Sequence, residues 1–281
     1  MNVRDIKTKA RSVIALNRSN IISIFVFISV ITTVINYLTE LIGSQIPFAS
    51  LILGIIFLPL VHGNVVTALK TVNERSDKLT INDDGLAGLK RYKQLFSTYF
   101  IREILFTILI MLVFLIIALV SKFVISDRAF DAIIAILTSN ASTNISSYLT
   151  DVEIATLYDQ IGGIILFGLI ALMIVIIMFS LYFALTPYVL EKYNIRGAKA
   201  MSESVRLMKG HKGTLAVLYL SYIGWFFLVV LLYTVVAMII RITAINQLIL
   251  AIISTYLYSA ELEVCLAVFY EEIDLEDKNL I

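Results

Sequence analysis

Residues 104–120 read ILFTILIMLVFLIIALV and residues 164–185 read IILFGLIALMIVIIMFSLYFAL. Neither stretch carries a charge, and both approach or exceed the roughly 20 residues a helix needs to cross about 30 Å of hydrocarbon. A helix apolar on every side belongs in a bilayer or a deep core. The rest of the chain argues for the bilayer: 59% of its 281 residues are hydrophobic and 15% charged, with a mean hydropathy of +0.93, whereas soluble domains are about a quarter charged. Three prolines and little alternation of apolar and polar residues exclude a barrel, whose strands alternate in units of roughly ten residues. The fold class is all-α, a polytopic membrane helical bundle.

Six transmembrane helices are expected, at about 20–38, 47–69, 101–124, 163–188, 214–240 and 245–269. Short cytoplasmic loops collect Lys and Arg. With these spans all but Lys122, Arg128 and Arg241 of the 22 basic residues fall on one side. That parity predicts a multi-pass protein of the plasma membrane with cytoplasmic N- and C-termini. The acidic stretch 125–160 then lies outside, with the triplets Asn140-Ala141-Ser142 and Asn144-Ile145-Ser146, which match the glycosylation pattern. The N-terminal segment lacks a short apolar run followed by a small-residue cleavage site, so no removable signal peptide is expected.

The basic segments share a pattern. Val3, Ile6, Ala10 and Val13 follow helical spacing while Arg4, Lys7 and Arg11 form a stripe one residue away. Leu86, Leu89 and Phe96 are accompanied in the same phase by Lys90 and Lys93, and Ile195, Ala198, Met201, Val205 and Met208 by Arg196, Lys199, Arg206 and Lys209. A one-residue offset turns the basic stripe about 100° from the apolar one. Such a helix can lie flat, apolar face in the headgroup boundary and bases toward anionic lipid. Three interfacial amphipathic helices are therefore expected, each preceding two spans. They give one transmembrane domain over 1–281 with quasi-repeats at about 1–70, 83–190 and 193–270. Lys212 joins the anionic-lipid contacts, and Gly210 is expected to end the third surface helix in a left-handed cap.

Pro59 and Pro187 are expected to kink the second and fourth spans near one interface. Cys265 is the single cysteine, expected as a small buried hydrophobe with no disulfide partner in the chain.

The stretches Ala200-Met201-Ser202-Glu203-Ser204, Leu207-Met208-Lys209-Gly210-His211-Lys212, Leu220-Ser221-Tyr222-Ile223-Gly224-Trp225 and Ala267-Val268-Phe269-Tyr270-Glu271 resemble an uncharacterised family of bacterial integral-membrane proteins. That family is catalogued as a domain of unknown function and is akin to the membrane portion of some glycerophosphodiester phosphodiesterases. The resemblance is good over about 190–272 and loose before it. It implies a polytopic plasma-membrane protein and carries no catalytic residues. These residues include no soluble phosphodiesterase domain, so that activity is not transferred.

Within the spans, Glu261 and Glu263 stand in hydrocarbon, where a carboxylate costs a few kcal/mol or more unless it is paired, protonated or hydrated. Two residues apart on a helix, they cannot face one site. Thr255, Tyr258, Ser259 and Glu261 share overlapping turns, so Glu261 is expected inside the bundle. There it serves either as a cation, proton or substrate contact in a cavity, or as a buried hydrogen bond or ion pair with a base such as Lys209 or Lys212. Trp225 falls too deep in its span for an interfacial belt, and packing inside the bundle is expected to give its N–H a partner. Tyr258, Ser259, Glu261 and Trp225 are thus the candidate cavity contacts. The acidic tail Glu271, Glu272, Asp274, Glu276 and Asp277 is expected to be solvated.

His62 and His211 lack the spaced carboxylates of a metal site, and neither a phosphate-cradling glycine loop nor a Gly-x-Ser-x-Gly elbow is present. No cofactor, metal, nucleic-acid partner or enzymatic activity is expected. The reading is a non-enzymatic membrane protein that handles a lipid or amphipathic peptide, as a transporter-like or protective factor. The alternative is a membrane scaffold or accessory subunit bound to a partner membrane protein.

Overall fold

Backbone polar groups in hydrocarbon find no water, so each apolar run closes its hydrogen bonds within itself as a helix. The computed structural model describes residues 2–46, 49–73, 78–131, 149–240 and 242–279, and all regular structure among them is helical. The glycosylation triplets and Arg241 lie outside the described residues.

In chain order the helices are α1 (Val3–Leu16), α2 (Arg18–Gly43), α3 (Ala49–Phe57), α4 (His62–Val72), α5 (Ala87–Lys90), α6 (Tyr92–Val124) and α7 (Asp151–Phe183). They continue with α8 (Thr186–Tyr193), α9 (Ala198–Leu207), α10 (Lys212–Leu220), α11 (Ile223–Ile239), α12 (Thr243–Ser254) and α13 (Ala260–Asn279). Six stretches are long and apolar enough to cross a membrane: Arg18–Gly43, Ala49–Val72, Tyr92–Val124, Asp151–Tyr193, Lys212–Ile239 and Thr243–Lys278. The chain is a multi-pass membrane protein, with helices that run past the expected ends.

Both prolines interrupt spans. Pro59 sits in a single 3-10 turn, Leu58–Val61, between α3 and α4, and Pro187 lies in the first turn of α8. A proline removes one backbone donor, which is tolerated at a helix start.

The chain forms two compact units, Met1–Arg102 with Leu181–Ile281, and Glu103–Ser180. In the second unit the rings of Phe106 and Phe179 lie 4.8 Å apart, and a Cβ on Gly168 would come within 2.9 Å of Ile117 Cδ1. Ile125, Ala129, Leu149 and Leu157 form a small core of their own. Along Tyr92–Val124 and Asp151–Tyr193 only 6% of the most apolar window is buried in protein, so these surfaces are left for acyl chains.

The core of the first unit is organised on α13. Val264, Cys265, Ala267, Val268, Phe269 and Tyr270 are all fully buried. Around them lie Ile6 and Ala10 of α1, Ile21 and Ile24 of α2, Ala68 of α4, Val189 of α8 and Leu215 of α10. The apolar stripe of α1, expected in the headgroup boundary, is covered by protein instead: Ile6 and Ala10 are 0% exposed, and α1 packs on α13. A protein face as apolar as the lipid boundary competes for the same stripe, and fully burying such a side chain contributes about 1.5–3 kcal/mol.

The second basic segment also differs from expectation. It is broken at Arg91 into α5 and the start of α6. Within α5 a Cβ on Gly88 would overlap the Pro59 carbonyl, so backbone packs on backbone there. The third basic segment does form a helix, α9, and Gly210 follows it with φ of 91°.

Candidate functional site

The N-terminal helix lays Arg11 over the start of α13. Arg11 Nε donates to Glu261 Oε1 at 3.0 Å, and the Tyr222 hydroxyl donates to the same oxygen at 2.7 Å. The Glu261 side chain is 22% exposed and that of Arg11 61%. Glu261 is therefore an ion pair, as one of the two expectations had it, but its base is Arg11 and not Lys209 or Lys212. Lys7 completes the group, with its ammonium 4.1 Å above the Tyr222 ring and bonded to Ser221 Oγ at 3.3 Å.

Beside this pair opens a cavity of about 340 Å³. Arg11, Arg18, Tyr256 and Glu261 supply its polar wall, and Ile14, Ala15, Ile22, Leu257 and Ala260 its apolar one. The Arg18 guanidinium stands 5.5 Å from the centre of the Tyr256 ring. Among the described residues no carboxylate lies within ion-pair distance of it. Two guanidiniums thus face one carboxylate, leaving the cavity with an excess positive charge beside apolar walls.

Tyr258 and Ser259 lie on a π-helical turn, Thr255–Ser259, that joins α12 to α13. The Tyr258 ring lies 6.3 Å from that of Tyr222, while Ser259 lines a different cavity. Trp225 is 40% exposed, against the expectation of packing inside the bundle. Helix α11 fully buries none of its residues, and its packing on α12 leaves the indole on the outward side. The aromatic residue that reaches the site from this segment is Tyr222, 3% exposed.

The proposed lipid-facing bases divide. Lys90 is bound to Asp83 at 2.7 Å, and its ammonium holds the Asp83 carboxyl below the usual range. Arg206 grips Glu203 and Asp277, each at 2.7 Å, which raises its pKa further. Arg196 donates to Asn194 Oδ1, and the Lys212 ammonium lies 3.4 Å from the centre of the Tyr182 ring. Arg4, Lys93, Lys199 and Lys209 are exposed and meet no carboxylate among the described residues.

The acidic tail is not solvated as expected. Because α13 runs unbroken to Asn279, it holds its carboxylates against neighbouring helices. Lys192 pairs with Glu271 and, at 2.9 Å, with Asp274. Lys278 also reaches Asp274 at 2.9 Å, and Lys9 reaches Glu272 at 3.6 Å.

A further buried group was missed in the sequence. His62, 0% exposed, bonds Tyr99 Oη through Nδ1 and Glu191 Oε2 through Nε2, both at 2.9 Å. Arg91 Nη1 donates to the same Glu191 oxygen at 2.6 Å. A histidine in an otherwise apolar run was the available signal; its partners lie too far away in sequence to be matched to it. With both ring nitrogens and the carboxylate satisfied, the group cross-links α4, α6 and α8.

The model of a family described as "Protein of unknown function (DUF975)" matches residues 1–277. The chain belongs to this family. Membership in DUF975 covers almost the whole chain, well beyond the 190–272 stretch where the resemblance is good. No curated protein and no solved structure matches it. The candidate site of this DUF975 protein is the cavity of Arg11, Arg18 and Glu261.

Proposed function

We propose that the protein is a non-enzymatic plasma-membrane protein, with both termini cytoplasmic, that handles an anionic amphiphile. The amphiphile is either a lipid or an amphipathic peptide, and the role transporter-like or protective. The observation that carries this reading is the cavity of about 340 Å³ with Arg11 and Arg18 facing Glu261 alone. A guanidinium placed over an aromatic ring, unpaired with any described carboxylate, suits a phosphate or carboxylate headgroup, and the Ile14, Ile22 and Leu257 wall suits a chain attached to it.

Native mass spectrometry from mild detergent, after incubation with vesicles of phosphatidylcholine and phosphatidylglycerol, tests it. The wild type should retain phosphatidylglycerol, and Arg18→Gln should retain several-fold less at unchanged thermal stability. Equal retention by the two proteins, or none by the wild type, rejects the reading.

The closed Arg11–Glu261 pair, with its Tyr222 hydrogen bond, favours the second reading, a scaffold or accessory subunit for a partner membrane protein. Co-purification of a stoichiometric partner whose release accompanies Glu261→Gln supports that alternative.

A further inference from the structure

One face of α2 reads Arg18, Ile22, Phe25, Ser29, Thr33, Asn36 and Glu40, in steps of three and four residues that keep all seven on one side of the helix. Three cavities lie in file along that face. The arginine cavity takes Arg18 and Ile22. A second, of about 170 Å³, takes Phe25, Ser29 and Thr33 against Asn64, Thr255 and Ser259. A third, of about 430 Å³, takes Ser29, Thr33, Asn36 and Glu40 against Gln247 and Ser254. The second and third share Ser29 and Thr33. From Arg18 to Glu40 the helix rises about 33 Å at ~1.5 Å per residue, the thickness of a hydrocarbon layer of roughly 30 Å.

Polar residues between transmembrane helices normally bond each other directly. Here they do not. Among the described residues the two walls of the furrow share a single hydrogen bond, Ser29 Oγ to the Ala251 carbonyl at 3.3 Å. Thr33, Ser254 and Thr255 turn their hydroxyls back to their own helices. Thr32 Oγ1 and Asn64 Oδ1, both lining the second cavity, are buried without a hydrogen-bond partner among the described residues. Asn36 and Glu40 are exposed within the span, so the furrow opens sideways toward lipid and is not an enclosed pore. A π-helical turn, a feature frequent at functional sites, forms its opposite wall at Thr255–Ser259.

We propose that this furrow is a crossing route for phospholipid headgroups between the two leaflets, the acyl chains staying in the bilayer. The inference rests on the lipid-handling reading, with the arginine cavity as the headgroup's station at one end and Asn36, Glu40 and Gln247 at the other. Hydroxyls and amides left unpaired replace part of the headgroup's water during passage, and the neutral middle of the furrow accepts both zwitterionic and anionic headgroups.

The test is the full chain reconstituted in phosphatidylcholine and phosphatidylglycerol vesicles carrying a trace of nitrobenzoxadiazole-labelled phosphatidylcholine, with dithionite added outside. The protein should make the inner-leaflet label accessible at least about ten-fold faster than in protein-free vesicles. Asn36→Leu with Ser254→Leu should slow this about five-fold, as expected for roughly 1 kcal/mol of lost hydrogen bonding in passage. Asn36→Leu alone, at an exposed position, provides a variant whose folding is not at stake and should slow it in the same direction. Trapped glycerol 3-phosphate should stay inside. Acceleration untouched by the furrow variants overturns the proposal, as does release of the trapped solute, which indicates an aqueous pore. If phosphatidylglycerol is retained in native mass spectra but labelled lipid does not cross, the route fails while the binding reading stands; loss of retention by the wild type removes both.

Discussion

Arg11 and Glu261 are 250 positions apart in the chain and meet at 3.0 Å. The bond ties the first helix to the last across the wall of the candidate cavity, with Tyr222 donating to the same carboxylate oxygen. With Arg11 more than half exposed, solvent screens the pair, and its coupling is expected to be modest, about 0.5–1 kcal/mol. A double-mutant cycle of Arg11→Gln and Glu261→Gln, read by thermal unfolding in detergent, should return that value, and a coupling near zero would show that the contact does not persist.

Ile6 is fully buried between α1 and α13. Ile6→Ala should destabilise the protein by about 2–4 kcal/mol, whereas Leu16→Ala, at a residue 69% exposed, should be nearly silent. Equal effects would return the α1 stripe to the lipid boundary.

His62→Phe removes both hydrogen bonds of the buried ring while roughly keeping its volume. Tyr99 Oη loses its bonded partner and Glu191 keeps only Arg91. Leaving a buried hydroxyl unpaired costs about 1–3 kcal/mol. Guanidinium-free thermal melts should show that loss, and Tyr99→Phe in the same background should recover part of it.

Asp274 has a side chain 4% exposed, held by Lys192 and Lys278. Breaking a buried pair by removing one partner costs about 3–5 kcal/mol, and Asp274→Asn should approach the lower end. The Asp83–Lys90 pair, with side chains 68% and 45% exposed, should matter little and less still in high salt. Melting curves of both variants at low and high salt separate the two classes.

Orientation is tested by labelling. Cys265 is fully buried, so the wild type gives little background with an impermeant maleimide. Ser142→Cys should label on intact cells and Ser202→Cys, at an exposed position of α9, only after permeabilisation. The reverse pattern would invert the topology.

Much of the fold was legible because hydropathy and length are local properties. The six spans needed only uninterrupted apolar runs, and the breaks at Pro59 and Pro187 needed only a missing donor. What lay beyond reach was partnership. An amphipathic stripe such as Ile6 and Ala10 has the same pattern whether its cover is lipid or another helix, and only α13 decided. The bases of α9 and the acids of the tail could be counted, but Arg206 against Asp277 depends on α13 continuing as helix past Glu272. Trp225 misled because depth in the sequence says nothing of azimuth: a residue at mid-span faces lipid as readily as protein. Of the candidate site, Glu261 was found from the cost of a charge in hydrocarbon, while Arg11, Arg18 and Tyr222 gave no signal separating them from other bases and aromatics.

The burial of α13 among α1, α2, α4, α8 and α10 has a temporal side. Ile6 and Ala10 of α1 find their cover on a helix far later in the chain, so α1 must wait, with both side chains uncovered, until α13 has been made. Assembly of that unit is thereby deferred until α13 is synthesised, and a nascent chain stalled before residue 260 presents α1 with its apolar stripe unmatched. In a cell that is a handle for membrane quality control, and it makes the presence of α13 a precondition for stability.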